Sequence, residues 1–303
     1  MDFTIRPLDV ERDIPAVAAL RRRCFPYEIT LERHLLWSAE RTPEQARARW
    51  FAAESGGRII GYARAALVVT TGLAGQGTLI VMVDPGHRRR GAGSALADAA
   101  EAHLADAGAV VVRAAGPEDP AAPFAERRGY LPRSTSSHQV LDLAGLPPVP
   151  PRPDGVELRP ASAYADDPRP VHAVDEAVSA DEPGDAPTDS SPYRVWLETV
   201  WEDPRVDRDL SLMVLSGGEP IGIVAILSDG ERTLRHSITG TVRAHRGRGI
   251  ATYAKTAALH RARERGFTAS YTENDTTNAP MLAINERLGY RPHATETVYR
   301  RDL

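Results

Sequence analysis

The two halves of the chain show the same succession of apolar and polar patterns. Near the start of each half, apolar residues recur at every third or fourth position, which predicts amphipathic helices. The two sets are Ile14, Val17 and Leu20, and Val171, Val174 and Val178. Ser-Gly-Gly turns at 55–57 and 216–218 separate β-type runs and predict hairpins. Further β-type runs at 78–83 and 237–242 lead into helical stripes. Both halves therefore predict the order β-α-β-β-β-α-β-α-β.

Short motifs recur in both halves at a nearly constant offset of about 160 residues. The pairs are Ile5-Arg6-Pro7 with Leu158-Arg159-Pro160, Gly61 with Gly222, Arg88 with Arg246, and Gly129-Tyr130 with Gly289-Tyr290. Four anchors at nearly one offset indicate a duplicated domain. The segment 146–155 is rich in proline, which predicts a stiff extended linker. We therefore expect domains over 1–145 and 156–303, joined by the linker 146–155.

Each half carries a glycine- and arginine-rich loop between a predicted strand and a predicted helix. Glycines let the main chain curl against a ligand, and the free N–H groups of a helix start attract an anion, so the pattern suits a diphosphate. A basic surface turn is the alternative for either loop taken alone. The loop residues are Arg88, Arg89, Arg90, Gly91, Ala92 and Gly93 in the first half and Arg246, Gly247, Arg248, Gly249, Ile250 and Ala251 in the second.

Charge and cysteine content exclude several classes of protein. The net charge of −4 argues against nucleic acid as a partner, because binding of nucleic acid requires a basic face. Cys24 is the single cysteine, so neither an internal disulfide nor a cysteine-rich metal site is expected. No stretch reaches the roughly 18 apolar residues of a membrane span, and no secretion signal begins the sequence. We expect a cytoplasmic protein without a bound metal, either a monomer or a homodimer.

The order of elements and the Arg-x-x-Gly-x-Gly/Ala loops resemble the GCN5-related N-acetyltransferase (GNAT) superfamily. The resemblance also rests on the segment 83–88 and, near the C-terminus, on Asn278, Met281 and the segment 288–290. It implies an α/β (α+β) fold with two tandem GNAT domains. Each domain is then a mixed twisted sheet with helices on both faces, and its fourth and fifth strands splay apart. The tandem architecture is similar to that of mycothiol synthase and related actinobacterial acetyltransferases.

The resemblance implies that acetyl-CoA lies between the splayed strands, with its diphosphate on the loop amides. The pantetheine arm would then pair with the fourth strand, as an added strand does. Besides the loop residues, this assigns cofactor binding to Met82, Val83, Gly240, Thr241 and Val242. Asn274 and Asn278 are further candidate contacts, and helix capping is their alternative. The loop arginines either pair with the 3′-phosphate or face water.

Transfer of an acetyl group to an amine requires a neutral amine and a proton for the departing thiolate. The glutamate that usually serves as base in the family falls on Gly77 and Arg235 here. His236 is the nearest substitute, and a surface histidine is the alternative reading. The usual tyrosine acid falls on Ala125 and Asn285. Asn285 either contacts the sulfur, orders a water or caps the backbone, and Tyr271 is a second candidate donor.

Acidic and aromatic residues expected near the splayed strands of the second domain suit an acceptor that carries an amine. The candidates for substrate contact are Glu273, Asp181, Glu182 and Tyr193. Solvent exposure of the acids and packing of the tyrosine are the alternatives. The predicted function is N-acetylation of a small amine by the C-terminal domain, which keeps more of the family's end motif. The N-terminal domain then binds CoA without turnover or serves as a structural partner. A mycothiol synthase-like transferase and a catalytically silent acetyl-CoA sensor or scaffold are the alternatives.

Overall fold

The computed structural model describes residues 3–69, 73–180 and 192–303. Their contacts divide the chain into two compact units. The first unit comprises Met1–Thr135 and Glu296–Leu303, and the second unit comprises Ser136–Thr295. In the described part of the chain, no helix combines the length and the apolar character needed to cross a membrane.

The first half of the chain forms the predicted succession of elements, with one additional helix after the first. Its strands are β1 (Thr4–Pro7), β2 (Arg49–Ser55), β3 (Arg58–Leu67), β4 (Gln76–Val83), β5 (Val111–Pro117) and β6 (Leu131–Asp142). Its helices are α1 (Val10–Cys24), α2 (Glu32–Glu40), α3 (Ala92–Asp106) and α4 (Glu118–Arg127). The backbone of Asp119 is extended, so α4 is interrupted near its start.

The second half repeats this succession, again with an additional short helix. Its strands are β7 (Val156–Pro160), β8 (Leu212–Ser216), β9 (Glu219–Ser228), β10 (Thr233–Thr241), β11 (Ala269–Asp275) and β12 (Arg291–Asp302). Its helices are α5 (Arg169–Ser179), α6 (Tyr193–Trp196), α7 (Ile250–Glu264) and α8 (Ala279–Leu288). A π-helical turn over Leu197–Trp201 follows α6.

The last strand of each half completes the sheet of the other unit. Residues 136–142 of β6 pair antiparallel with β11 in the second unit, and residues 296–302 of β12 pair antiparallel with β5 in the first. The compact units therefore end within β6 and β12, not at the predicted boundaries of 1–145 and 156–303. The division of the chain into duplicated domains over 1–145 and 156–303 stays a prediction. The segment 146–155 forms neither helix nor strand.

Both sheets are mixed, and helices cover both faces of each. Among the described strands of the second unit, every pairing is antiparallel except that between β10 and β11; among those of the first, the exception is β4 with β5. Alternate residues of a strand face opposite sides. Met213 of β8 accordingly packs in one cluster with Val174 of α5, while Val214 packs in another with Ala254 of α7. The expected GNAT layering is confirmed.

The repeated glycines Gly61 and Gly222 occupy equivalent places beside the fourth strand of their sheets. A Cβ atom at Gly61 would lie 2.8 Å from the carbonyl oxygen of Met82, and one at Gly222 would lie 2.7 Å from that of Gly240. Real Cβ atoms do not approach a carbonyl so closely. The glycines therefore allow the third strand to pass close to the fourth strand just before each glycine-rich loop.

We predict that Tyr299→Ala destabilises the first unit although Tyr299 comes from the end of the chain. The ring is buried with Leu79 and Val112 in the core beneath β4 and β5. Removal of a large buried aromatic side chain leaves a cavity and costs about 3 kcal/mol. Hydrogen exchange followed by mass spectrometry should show faster exchange of β4 and β5 amides.

Arg300→Ala is the matched control, because Arg300 is the next residue of β12 and its guanidinium pairs with Asp302 near the surface. We expect this control to leave exchange in β4 and β5 unchanged. Faster exchange of β11 in Tyr299→Ala, with β4 and β5 unaffected, would contradict the strand exchange.

Candidate active site

The site in the second unit begins where two parallel strands stop pairing. β10 pairs with β11 from Thr233 opposite Ala269 to His236 opposite Thr272, and not beyond, although both strands continue. A β-bulge at Ser237 turns β10 at this point. The notch between the strands is a cavity of about 700 Å³. This is the splaying that the family resemblance implies.

One wall of the cavity is the predicted glycine loop and the start of α7. Gly247 and Gly249 adopt left-handed backbone angles, with φ of +75° and +73°, which glycine alone adopts readily. Gly249 is the N-cap residue and offers no side chain to cap the helix. Across the described residues, no acceptor is bonded to the N–H groups of Ile250, Ala251 and Thr252. The three residues line the cavity, and the free amides of a helix start can bind an anion.

The first arginine of each loop holds the loop to the strand before it. Arg246 Nε donates to the carbonyl of Thr241 at 3.0 Å, and Arg88 Nε donates to that of Val83 at 3.1 Å. The two arginines thus have an equivalent structural role through Nε, and pairing of their other N–H groups with the 3′-phosphate stays a prediction. Arg248 lies near the surface with its guanidinium 3.1 Å from His245 Nδ1.

The floor of the cavity holds a buried polar cluster centred on Asn285. The Asn285 amide donates to Gln139 Oε1 at 2.8 Å and to Asn274 Oδ1 at 2.7 Å. Its own Oδ1 accepts a hydrogen bond from Lys255 Nζ at 2.7 Å. A side-chain amide has two N–H donors, so both are used here. Asn285 therefore has no donor left for a substrate sulfur atom.

Burial governs the titration of the two basic groups at this floor. Lys255 is 1% exposed, and its desolvation lowers its pKa from 10.5 to about 7. Its Nζ also lies 5.0 Å from the centre of the Tyr290 ring. Burial, and secondly the charge of Lys255, hold the pKa of His236 well below its usual value. His236 is thus neutral at pH 7, and its Nε2 makes no hydrogen bond within the described chain.

The structure brings most of the predicted residues of the second domain together at the cavity. Those that line it are His236, Gly240, Thr241, Arg246, Gly247, Gly249, Ile250, Ala251, Glu273, Asn274 and Asn278. His236 is buried, so the surface alternative is wrong. Asn278 caps α8 by accepting from the amide of Met281 at 3.3 Å, which was its alternative role. Gly240 is also required by packing, because a Cβ there would lie 2.3 Å from Val178 Cγ1.

Several predicted contacts have other surroundings. The ring of Tyr271 packs edge-on against His293, with 5.5 Å between ring centres, and does not line the cavity. The carboxylate of Glu273 accepts a hydrogen bond from Arg235, which already compensates its charge. Tyr193 packs against His172 and Trp196, as helix packing requires. Asp181 and Glu182 lie outside the described residues.

The first unit has a smaller notch of the same kind. β4 pairs with β5 only as far as Leu79 opposite Ala114, and the cavity beyond has about 360 Å³. The predicted residues that line it are Met82, Val83, Arg88, Arg89, Gly91 and Gly93; Ala92 is buried in the core, and Arg90 is not part of the lining. The positions equivalent to Lys255 and Asn285 are Ala97 and Ala125. This notch therefore lacks the polar pair found in the second unit.

Sequence reasoning missed Lys255 and Gln139. Lys255 is the only lysine of the chain and lies four residues before the buried Leu259, on the apolar face of α7. A single lysine on an apolar face was the available signal. Nothing in the sequence indicates that Gln139 belongs to the site, because it reaches the site only through the exchange of β6.

We predict that Lys255 makes the protein more stable at pH 9 than at pH 7. Between the folded pKa of about 7 and the unfolded value of 10.5, the unfolded chain binds more protons, so the free energy of unfolding rises with pH. The gain from pH 7 to pH 9 is about 2 kcal/mol. Urea unfolding of Lys255→Met should lack this gain. Equal pH dependence in the variant and the natural protein would contradict the lowered pKa.

Comparison with known proteins agrees with this geometry. The family model described as the Acetyltransferase (GNAT) family matches residues 14–130 and 171–290. A mycothiol acetyltransferase from Tsukamurella paurometabola is 29% identical over 243 residues, which cover 77% of this chain and 80% of that protein. One from Brachybacterium faecium is 28% identical over 234 residues, 71% of this chain and 65% of that protein.

Solved structures show the same fold over almost the whole chain. A GCN5-related N-acetyltransferase from Sphaerobacter thermophilus has a TM-score of 0.75 and 21% identity, covering 99% of this chain and 95% of that one. A tandem GNAT protein of the clavulanic acid biosynthesis pathway, without AcCoA, has a TM-score of 0.71 and 21% identity, covering 99% and 98%. At such identity the likeness concerns the fold. With both family matches, the chain belongs to the GNAT family of acetyltransferases and carries two copies of its domain.

Proposed function

We propose that the protein is an N-acetyltransferase that moves an acetyl group directly from acetyl-CoA to the amine of a small molecule, in the notch of the second unit. One observation carries the proposal. The cavity of about 700 Å³ joins an uncapped helix start to a buried, neutral histidine and a buried lysine. An anion site, a base in its neutral form and an acid that can exchange a proton near pH 7 are what this reaction requires.

The lining residues fit the diphosphate and the pantetheine arm of acetyl-CoA. The free amides of Ile250, Ala251 and Thr252 suit the diphosphate, as a helix start favours anions. Beyond His236, no strand among the described residues pairs with the cavity side of β10, so its backbone groups are available to the amides of the pantetheine arm. Bound in this way, acetyl-CoA supplies the activated acetyl group at the buried end of the notch.

His236 is the proposed base for the acceptor amine. It lines the cavity at the last paired position of β10, and its Nε2 is unpartnered there. Because its pKa is lowered, the imidazole stays in the neutral, proton-accepting form at pH 7. Glu273 is less suited to binding a cationic acceptor, since Arg235 already pairs with it.

The first unit is proposed to bind CoA without turnover or to act structurally. It has the glycine loop and an open notch, but alanines at 97 and 125 replace the lysine and the asparagine. A cavity of about half the volume also leaves less room for an acceptor beside the cofactor.

A second candidate is mycothiol acetyltransferase activity, because two relatives at 28–29% identity carry that name. The two candidates differ only in the acceptor. Thiol release from acetyl-CoA should be measured with a panel of amines that includes the mycothiol precursor. Turnover confined to the precursor selects the second candidate, and turnover with other small amines selects the first. Tight acetyl-CoA binding without any turnover would identify a sensor and contradict both.

We predict that Gly249→Asp weakens acetyl-CoA binding about 100-fold. The new carboxylate would stand at the N-cap, where its charge repels a diphosphate on the next amides. Isothermal titration calorimetry measures the loss.

Two matched variants, one a control and one in the first unit, are compared with Gly249→Asp. Gly266→Asp places the same residue at another left-handed position, at the far end of α7, and should leave binding unchanged. Gly91→Asp makes the equivalent change in the first unit and tests whether its notch binds CoA. If Gly91→Asp abolishes the titration and Gly249→Asp does not, the assignment to the second unit is wrong.

We predict that His236→Gln lowers kcat by about 100-fold while the Kd of acetyl-CoA stays within a few-fold, since a general base typically contributes 10²–10⁴. Because the pKa of His236 is lowered, the acidic limb of kcat/KM should lie below pH 6.5 in the natural protein. A limb above pH 6.5, or unchanged kcat in His236→Gln, would exclude His236 as the base.

A further inference from the structure

The only lysine of the chain is buried at the floor of the notch. Lys255 is 1% exposed and lines the cavity from α7. Lysines are almost never fully buried without a charged partner, because desolvation of the ammonium group costs free energy. Within the described chain, no carboxylate forms an ion pair or hydrogen bond with Nζ. The position is costly for folding, which indicates a role other than stability.

The groups packed around Nζ come from several elements, and none of them supplies a negative charge. Asn285 of α8 accepts its hydrogen bond at 2.7 Å, and the ring of Tyr290 lies 5.0 Å away. The Tyr290 hydroxyl pairs instead with Ser270 of β11 at 2.6 Å. His236 of β10 is close enough to interact with the lysine charge. An ammonium group has three N–H donors, so Nζ keeps donors beyond the one bonded to Asn285, on a residue that lines the cavity.

We propose that Lys255 is the acid of the reaction and donates a proton to the departing CoA thiolate. This inference rests on the proposed transferase function. When the carbon–sulfur bond of the thioester breaks, its electron pair goes to sulfur. An Nζ–H proton then passes to that sulfur, giving the CoA thiol and a neutral lysine. The new carbon–nitrogen bond keeps the acetyl group on the acceptor, whose released proton goes to His236. Proton exchange with water restores both side chains.

The hydrogen bonds around Asn285 explain why the lysine, not the asparagine, has this role. Family resemblance places the usual tyrosine acid at position 285. Asn285 uses both N–H donors on Gln139 and Asn274, so it positions Lys255 and does not donate to a ligand. In the first unit, alanine occupies both equivalent positions, 97 and 125. The lysine and the asparagine are thus present as a pair in one unit and absent as a pair in the other.

The first experiment measures the proton affinity of Lys255 directly. Because the chain has one lysine, selective ¹³Cε labelling of lysine gives a single signal to titrate by NMR. We expect a midpoint near 7, and the alkaline limb of kcat/KM for acetyl-CoA at the same pH. A midpoint near the ordinary value of 10.5, or an alkaline limb unrelated to the NMR midpoint, would overturn the proposal.

The second experiment removes the donor and keeps its volume. Lys255→Met should lower kcat at least 100-fold and abolish the alkaline limb, while the Kd of acetyl-CoA stays within about threefold. Arg263→Met is the control, because it removes an exposed cation from the same helix. It should retain both kcat and the pH profile. Lys255→Met with the kcat and pH profile of the natural protein would overturn the proposal.

The two experiments also separate this inference from the function on which it rests. If the natural protein releases no thiol with any amine, the transferase function fails, and the acid role of Lys255 fails with it. If the natural protein turns over and Lys255→Met does so equally well, only the inference about Lys255 fails. Should Lys255→Met not fold, the NMR titration and the pH profile of the natural protein still decide.

Discussion

The end of the pairing between β10 and β11 is the constraint on which the site depends. Parallel strands that remain paired leave no room for a ligand between them. Here the pairing stops at His236 and Thr272, and the bulge at Ser237 turns β10 away. The last paired residues therefore become the floor of a cavity, and the next backbone groups of β10 become its wall. The start of α7 closes one side with amides that no residue of the described ranges caps.

A polar cluster at such a floor is stable only when its members satisfy one another. Asn285 makes three hydrogen bonds inside the cluster, to Gln139, Asn274 and Lys255. Unsatisfied polar groups would cost several kcal/mol at this depth. Desolvation of the buried ammonium group lowers the pKa of Lys255, and the lowered pKa suits it to proton transfer near pH 7. The equivalent region of the first unit has alanines and no such cost.

The sequence predicted the layered fold, because its patterns are local. The helical stripe of Val171, Val174 and Val178 and the Ser-Gly-Gly hairpin turn each determine one element. Glycine loops between a strand and a helix likewise predicted where the anion site would lie. The exchange of β6 and β12 was not predictable, since alternation in a strand sets which face is buried and not which strand lies beside it. Gln139 was missed for that reason. For Lys255 the sequence offered only its place on the apolar face of α7, since the burial of its charge follows from tertiary packing.

The most direct measurement is a crystal structure of the protein with acetyl-CoA. We expect the diphosphate on the amides of Ile250, Ala251 and Thr252, and the thioester sulfur within hydrogen-bond distance of Lys255 Nζ. A diphosphate bound elsewhere in the second unit, or a thioester on the far side of β10 from Lys255, would contradict the central claim that this notch is an acetyl-transfer site with a lysine acid.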